Sequence, residues 1–188
     1  MLATAPQSRV FIIVAAPSAV TMLSAILFLS STAAADVEPI NTEKNLPQRV
    51  ILIRHGEKPD KGDDLSPRGY QRARCLADHF SSHAYNVTHL FAYTDHLTKR
   101  PVETLTPLAN KLGLQIDTRA GRDDIDDLID HIKKLDANAT AIVCWEHKVI
   151  RDIAKALGVD HAPDYYSDDF DHEWRIREGE LDEAHEHC

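Results

Sequence analysis

The chain has 188 residues, room for one domain with a buried core and little for a second, so a single site is expected. It carries 21 Lys plus Arg against 30 Asp plus Glu, a formal net charge of −9, which argues against nucleic acid as a partner. Three cysteines are an odd set and no disulfide framework: at most one pair forms, and Cys144, inside an apolar run, reads as a buried free thiol.

Residues 1–35 carry one charge, Arg9, ahead of an apolar run from Val10 to Leu29 and a small-residue stretch ending Ala33-Ala34-Ala35. This is the layout of a secretory signal peptide cleaved after Ala35; the alternative is an uncleaved anchor formed by residues 10–29, close to membrane-spanning length. Either version predicts a secreted or extracellular-facing protein that meets a membrane only through an uncleaved leader. Two Asn-x-Thr sequons, at Asn86 and Asn138, fit glycosylation on that route. Residues 36–48 are polar, contain two prolines and read as a linker, leaving 49–188 as the domain.

Arg49 to Ile53 is a continuous β-branched and apolar run, the mark of a strand covered on both faces, and it runs into Arg54-His55-Gly56. Ser66-Pro67 supplies a helix N-cap and first-turn proline, after which Tyr70, Ala73, Leu76, Ala77 and Phe80 recur at helical spacing. His89 to Tyr93 predicts a second strand. Val102, Leu105, Leu108, Ala109 and Leu112 predict a helix closed by Gly113, and Leu114 to Asp117 a third strand. Ile125, Leu128, Ile129, Ile132 and Leu135 mark a third helix with an acidic first turn. Ala141 to Trp145 predicts a fourth strand, and a helix follows from about Val149 to Leu157. The alternation implies an α/β three-layer sandwich, a mostly parallel sheet with helices on both faces, whose ligands gather at the carboxyl ends of the strands.

Two of those ends carry histidine: Arg54-His55-Gly56-Glu57 after the first strand and Glu146-His147-Lys148 after the fourth. Arg100 comes from the start of the second helix, and basic residues also gather at Lys58, Arg68, Arg72, Arg74, Lys99, Arg119 and Arg122. Arginine presents a fork of donors matched to phosphate oxygens, and histidine can attack phosphorus through one neutral ring nitrogen when the other is held. Gly56 is expected to bring its backbone N–H close to the phosphate. The plainer alternatives are a solvated Arg100 and a His147 satisfied in the core.

Ile51-Leu52-Ile53-Arg54-His55-Gly56-Glu57-Lys58-Pro59 and Leu65-Ser66-Pro67-Arg68-Gly69-Tyr70-Gln71-Arg72-Ala73 carry a specific resemblance. From Val50 to Leu157 the chain resembles the histidine phosphatase superfamily, phosphoglycerate mutase-like proteins, and among them the short single-domain members that begin Arg-His-Gly-Glu-Lys. The resemblance implies that His55 becomes phosphorylated, that Arg54, Arg100 and His147 complete the phosphate pocket, and that water then releases phosphate from a small phosphorylated substrate. No metal and no organic cofactor is implied. The chain departs from the family where Thr94-Asp95-His96-Leu97-Thr98-Lys99-Arg100-Pro101-Val102-Glu103-Thr104 stands for Ser-x-Leu-x-Arg-Ala-x-x-Thr, with one extra residue before the arginine. It departs again in flanking His147 with Glu146 and Lys148 where Ser or Thr and Gly are usual. The acid that protonates the leaving group is left open among Glu57, Asp123 and Asp124; hydrogen bonding within the loop and an acidic helix start are their alternative roles.

Asp168 to Ile176 looks like a strand approach, and the polar run from Glu178 to Cys188 reads as a disordered terminus, or as an incomplete end that leaves a sheet edge unpaired. A metal on His185, His187 and Cys188 is the weaker alternative, their spacing being compressed. The expectation is a phosphatase of phosphate monoesters. Its rivals are a catalytically silent protein that binds phosphate or a phospho-ligand, and a phosphoglycerate mutase-like phosphoryl transferase.

Overall fold

A computed structural model describes residues 49–95 and 97–188. The leader and the linker at 36–48 lie outside the described residues. Among the described residues no helix is long and apolar enough to cross a membrane.

The chain runs β1 (Arg49–Arg54), α1 (Pro67–Phe80), β2 (His89–Ala92), α2 (Arg100–Leu112), β3 (Ile116–Asp117), α3 (Ile125–Ile132), β4 (Thr140–Trp145), α4 (His147–Ala156), β5 (His172–Arg177) and β6 (Glu180–His185). One six-stranded sheet has the order β3-β2-β4-β1-β5-β6, with β3, β2, β4 and β1 parallel and β5 and β6 antiparallel. The expected α/β sandwich is therefore present.

The side-chain alternation of each strand sends two sets of residues to two cores. Val50, Leu52, Val143, Trp145 and Trp174 pack with Leu128, Ile132, Ile150 and Ile153, so α3 and α4 cover one face. Ile51, Ile53, Leu90 and Cys144 pack with Leu76, Phe80, Leu105 and Leu108, so α1 and α2 cover the other. Both β1 and β4 are buried along nearly their whole length, which is why neither shows a polar alternation.

Ser66 accepts a hydrogen bond from the Gly69 N–H and starts α1, as its sequence signature indicates. α3 stops at Ile132 rather than Leu135, and β3 shrinks to two residues.

The reading of the tail as disordered is overturned; the sheet edge it leaves is that of β6. Glu178 and Gly179 both take positive φ, 50° and 82°, and turn the chain into a tight β5–β6 hairpin that pairs alongside β1. Cys188 is bonded to Cys75 of α1 with Cα atoms 5.7 Å apart, which leaves Cys144 as the buried free thiol. That bond takes Cys188 out of the conjectured metal set. Among the described residues no three His, Cys, Asp or Glu side chains converge as a metal site.

Candidate active site

β1 and β4 are adjacent and in register, Arg54 opposite Trp145, so the residues that follow both strands emerge side by side. The His55 N–H donates to the Trp145 carbonyl at 3.2 Å, which ties the two ends together. His55 is 6% exposed, and its Nδ1–H donates to the Gly56 carbonyl at 2.8 Å. That bond leaves Nε2 with its lone pair. Burial pulls the ring down to about 4, with Arg54, Arg100 and His147 pushing the same way and the Gly56 carbonyl opposing. The imidazole is neutral at neutral pH, the state a nucleophile requires.

Arg54 is buried, its guanidinium lies 3.7 Å above the Phe170 ring, and Nη1 donates to the carbonyls of Ser167 at 2.5 Å and Asp169 at 3.3 Å. Its buried Nε has no protein partner. The segment just before β5 thus holds Arg54 in place, a role with no local signal because carbonyls and a lone Phe serve it. Arg100, in the first turn of α2, donates from Nε to the Asp64 carbonyl and from Nη2 to the Gly62 carbonyl, at 3.2 and 2.7 Å. Its charge still reaches His55.

His147 is the first residue of α4, half-buried beside helix N–H groups that attract anions. Its Nδ1 is buried without a protein partner, and burial, then Arg54, lowers its proton affinity. His55, Arg54 and His147 are therefore brought together, with Arg100 at their edge.

Other expectations are corrected. Gly56 does not offer its N–H to a ligand: Thr104 Oγ takes that bond at 2.8 Å, while donating its own proton to the Arg100 carbonyl at 2.7 Å. Gly56 is needed for space, since a Cβ there would come 3.1 Å from the Gly69 carbonyl oxygen. Thr104 is fully buried, and the only sequence trace of its role is its place in the departed Arg-Ala-x-x-Thr segment.

Glu57 is no free acid: Arg72 Nε lies 3.2 and 3.3 Å from its two oxygens, and Arg68 Nε lies 3.0 Å from Oε1. Asp123 is exposed and bound by Arg122, whose hydrogen bond holds it below its ordinary range. Asp124 sits at the α3 N-cap, without a side-chain capping bond, on a groove shared with Asp126, Asp152 and Lys155 rather than with the histidines. A carboxylate that sequence reasoning did not single out also stands near the histidines: Glu146, the α4 N-cap residue. Its side chain is 19% exposed and 3.3 Å from Arg122, and its charge acts on both Arg54 and His147.

No protein-family model and no curated protein matches the sequence. Solved structures do. The protein histidine phosphatase SixA complexed with tungstate superposes with a TM-score of 0.57 at 12% identity, over 73% of this chain and 97% of that one. SixA from Agrobacterium tumefaciens, provisionally described as a phosphohistidine phosphatase, gives 0.51 at 16% identity, over 73% and 98%. A protein provisionally described as an alpha-ribazole-5'-P phosphatase from Escherichia coli K-12 gives 0.52 at 13%, over 74% and 95%. The chain carries the fold of the histidine phosphatase superfamily, the phosphoglycerate mutase-like α/β sandwich.

Proposed function

We propose that this protein is a phosphatase that hydrolyses phosphate monoesters through a phosphohistidine on His55. The observation that carries the reading is a buried, neutral imidazole whose Nδ1 is held by the Gly56 carbonyl, beside Arg54 and His147. The Nε2 lone pair forms the P–N bond as the ester P–O bond breaks. Glu146, the carboxylate beside His147, gives the leaving oxygen its proton. Water, losing a proton to Glu146, then attacks phosphorus, and the P–N bond breaks to restore His55. The Arg54 Nε, the Arg100 guanidinium and the N-terminus of α4 stabilise charge on the phosphoryl oxygens.

A second reading, phosphate binding without turnover, is favoured by one observation: Arg54 and Arg100 already donate to loop carbonyls. One series separates the two, comparing an aryl and an alkyl phosphate across acid to neutral pH. Turnover is expected with both and is lost in His55→Ala, while Glu146→Gln loses alkyl ester hydrolysis far more than aryl, whose leaving group needs no proton. A folded chain that phosphate stabilises against heat but that hydrolyses neither ester would be the binding protein instead.

The Cys75–Cys188 bond supports an oxidising compartment, in keeping with export by the leader at 1–35, cleaved or retained as an anchor. Export separates the chain from cytosolic mutase substrates and favours hydrolysis over transfer to a second substrate.

A further inference from the structure

Arg72, on α1, is 5% exposed and stands between two carboxylates. Its Nε holds Glu57 at 3.2 Å, and its Nη1 holds Glu186 at 2.9 Å, with Asp171 at 3.8 Å. Glu186 lies just beyond β6, is 1% exposed and leaves its Oε1 buried without a partner. One helical turn after Arg72, Cys75 is bonded to Cys188, two residues after Glu186. Arg72 and Cys75 thus hold one short segment of the tail at two points.

The other end of the relay is the nucleophile. The carbonyl that fixes the His55 tautomer belongs to the peptide unit joining Gly56 to Glu57. Glu57, which follows that carbonyl, is anchored on both sides: its own carbonyl accepts from the Ser66 N–H at 2.8 Å, and its side chain is clamped on Arg72. We propose that Arg72 is a positioning residue for His55, and that the Cys75–Cys188 disulfide controls it by seating Glu186 against the Arg72 guanidinium, so that reduction switches the site down.

The step balances as thiol–disulfide exchange: an external dithiol is oxidised to its cyclic disulfide while Cys75 and Cys188 each gain a proton and one electron. Both cysteines are half-buried and so within reach of a small thiol. Without the bond, nothing covalent offsets the cost of keeping Glu186 dry with one oxygen unpaired. The tail leaves, Arg72 loses Glu186 and shifts between Glu57 and Asp171, and the Glu57 backbone next to the Gly56 carbonyl loses its fixed anchor. The phosphate-holding groups Arg54, Arg100 and His147 are not on this relay, so the loss belongs to kcat rather than KM.

This rests on the phosphatase reading, and its test keeps the two apart. Turnover of an aryl phosphate and the ¹⁵N signals of the His55 ring are measured on the full oxidised chain, on the same chain reduced with dithiothreitol, and on Cys75→Ser and Arg72→Lys. On reduction kcat is expected to fall about tenfold with KM nearly unchanged, and the ring to pass from the Nδ1–H tautomer to a mixture. Cys75→Ser should reproduce the reduced state and ignore dithiothreitol; Arg72→Lys should lower kcat in the oxidised chain. A reduced, folded chain with a lower Tm but unchanged kcat and ring signals would overturn the proposal and leave a mere staple. If the oxidised chain has no His55-dependent turnover, the phosphatase reading falls, and the ring signals alone decide the positioning role.

Discussion

At His55 two demands meet in one ring: it must be dry enough to stay unprotonated and still present an open nitrogen. Burial satisfies the first, and the bond to the Gly56 carbonyl the second. The same burial makes the residue a cost in acid. An ordinary histidine binds its proton near pH 6.5, whereas folded His55 waits until about 4. Between these values the unfolded chain holds the extra proton, so stability falls as pH drops from about 6.5 to about 4, and this contribution is constant below that. The contribution is about 3 kcal/mol across the window. Urea midpoints followed through that range should lose this component of the slope in His55→Ala, the carboxylates titrating alike in both chains. If His55 is the nucleophile proposed above, it stays neutral in mild acid and activity should persist there.

At the scale of elements, α1 meets the β1 loop without a gap. A Cβ on Gly69 would lie 2.4 Å from the Glu57 carbonyl oxygen, which the Ser66 N–H already fixes, and 3.0 Å from the Glu57 nitrogen, part of the peptide whose Gly56 carbonyl orients His55. Gly69→Ala is therefore expected to cost about 3 kcal/mol in chemical denaturation, and to lower activity by displacing the peptide that orients His55. The elements that build this junction were readable because each carries a strong local signal: the apolar β1 run, the Ser66-Pro67 helix start, the buried β4. β6 was not, because Glu180 to His185 holds only Leu181 and Ala184 as apolar residues, and its place comes from the positive-φ turn and from Cys75 far away in sequence. Likewise His55, Arg54, Arg100 and His147 follow from strand and helix ends, whereas Thr104, Phe170 and Arg72 act through distant carbonyls, rings and carboxylates that no spacing records. Glu57 misled for the same reason: a carboxylate beside the nucleophile looks like an acid until its two arginines are seen.

Across the described residues, the two histidines and the two sequons occupy opposite ends of the sheet. Asn86 precedes β2 and Asn138 precedes β4, while His55 and His147 follow β1 and β4. Both asparagines are exposed, and Thr88 Oγ lies 3.1 Å from the Thr140 N–H and 3.1 Å from its carbonyl, so the sequon threonines are locked together in the folded state. Expressed with its leader in eukaryotic secretory cells, the chain should gain two glycans, each lost singly in Asn86→Gln and Asn138→Gln by mass, with aryl phosphate turnover unchanged; a mass without glycan would count against the secretory reading. The two rims of the sheet are also unalike. β3 offers a neighbour only two residues, and β6 presents Glu180, Asp182 and Glu183 along an exposed strand. Width here is limited by shortness at one side and by like charge at the other, so a second copy sliding in along either rim finds too little backbone or too much repulsion to extend the sheet.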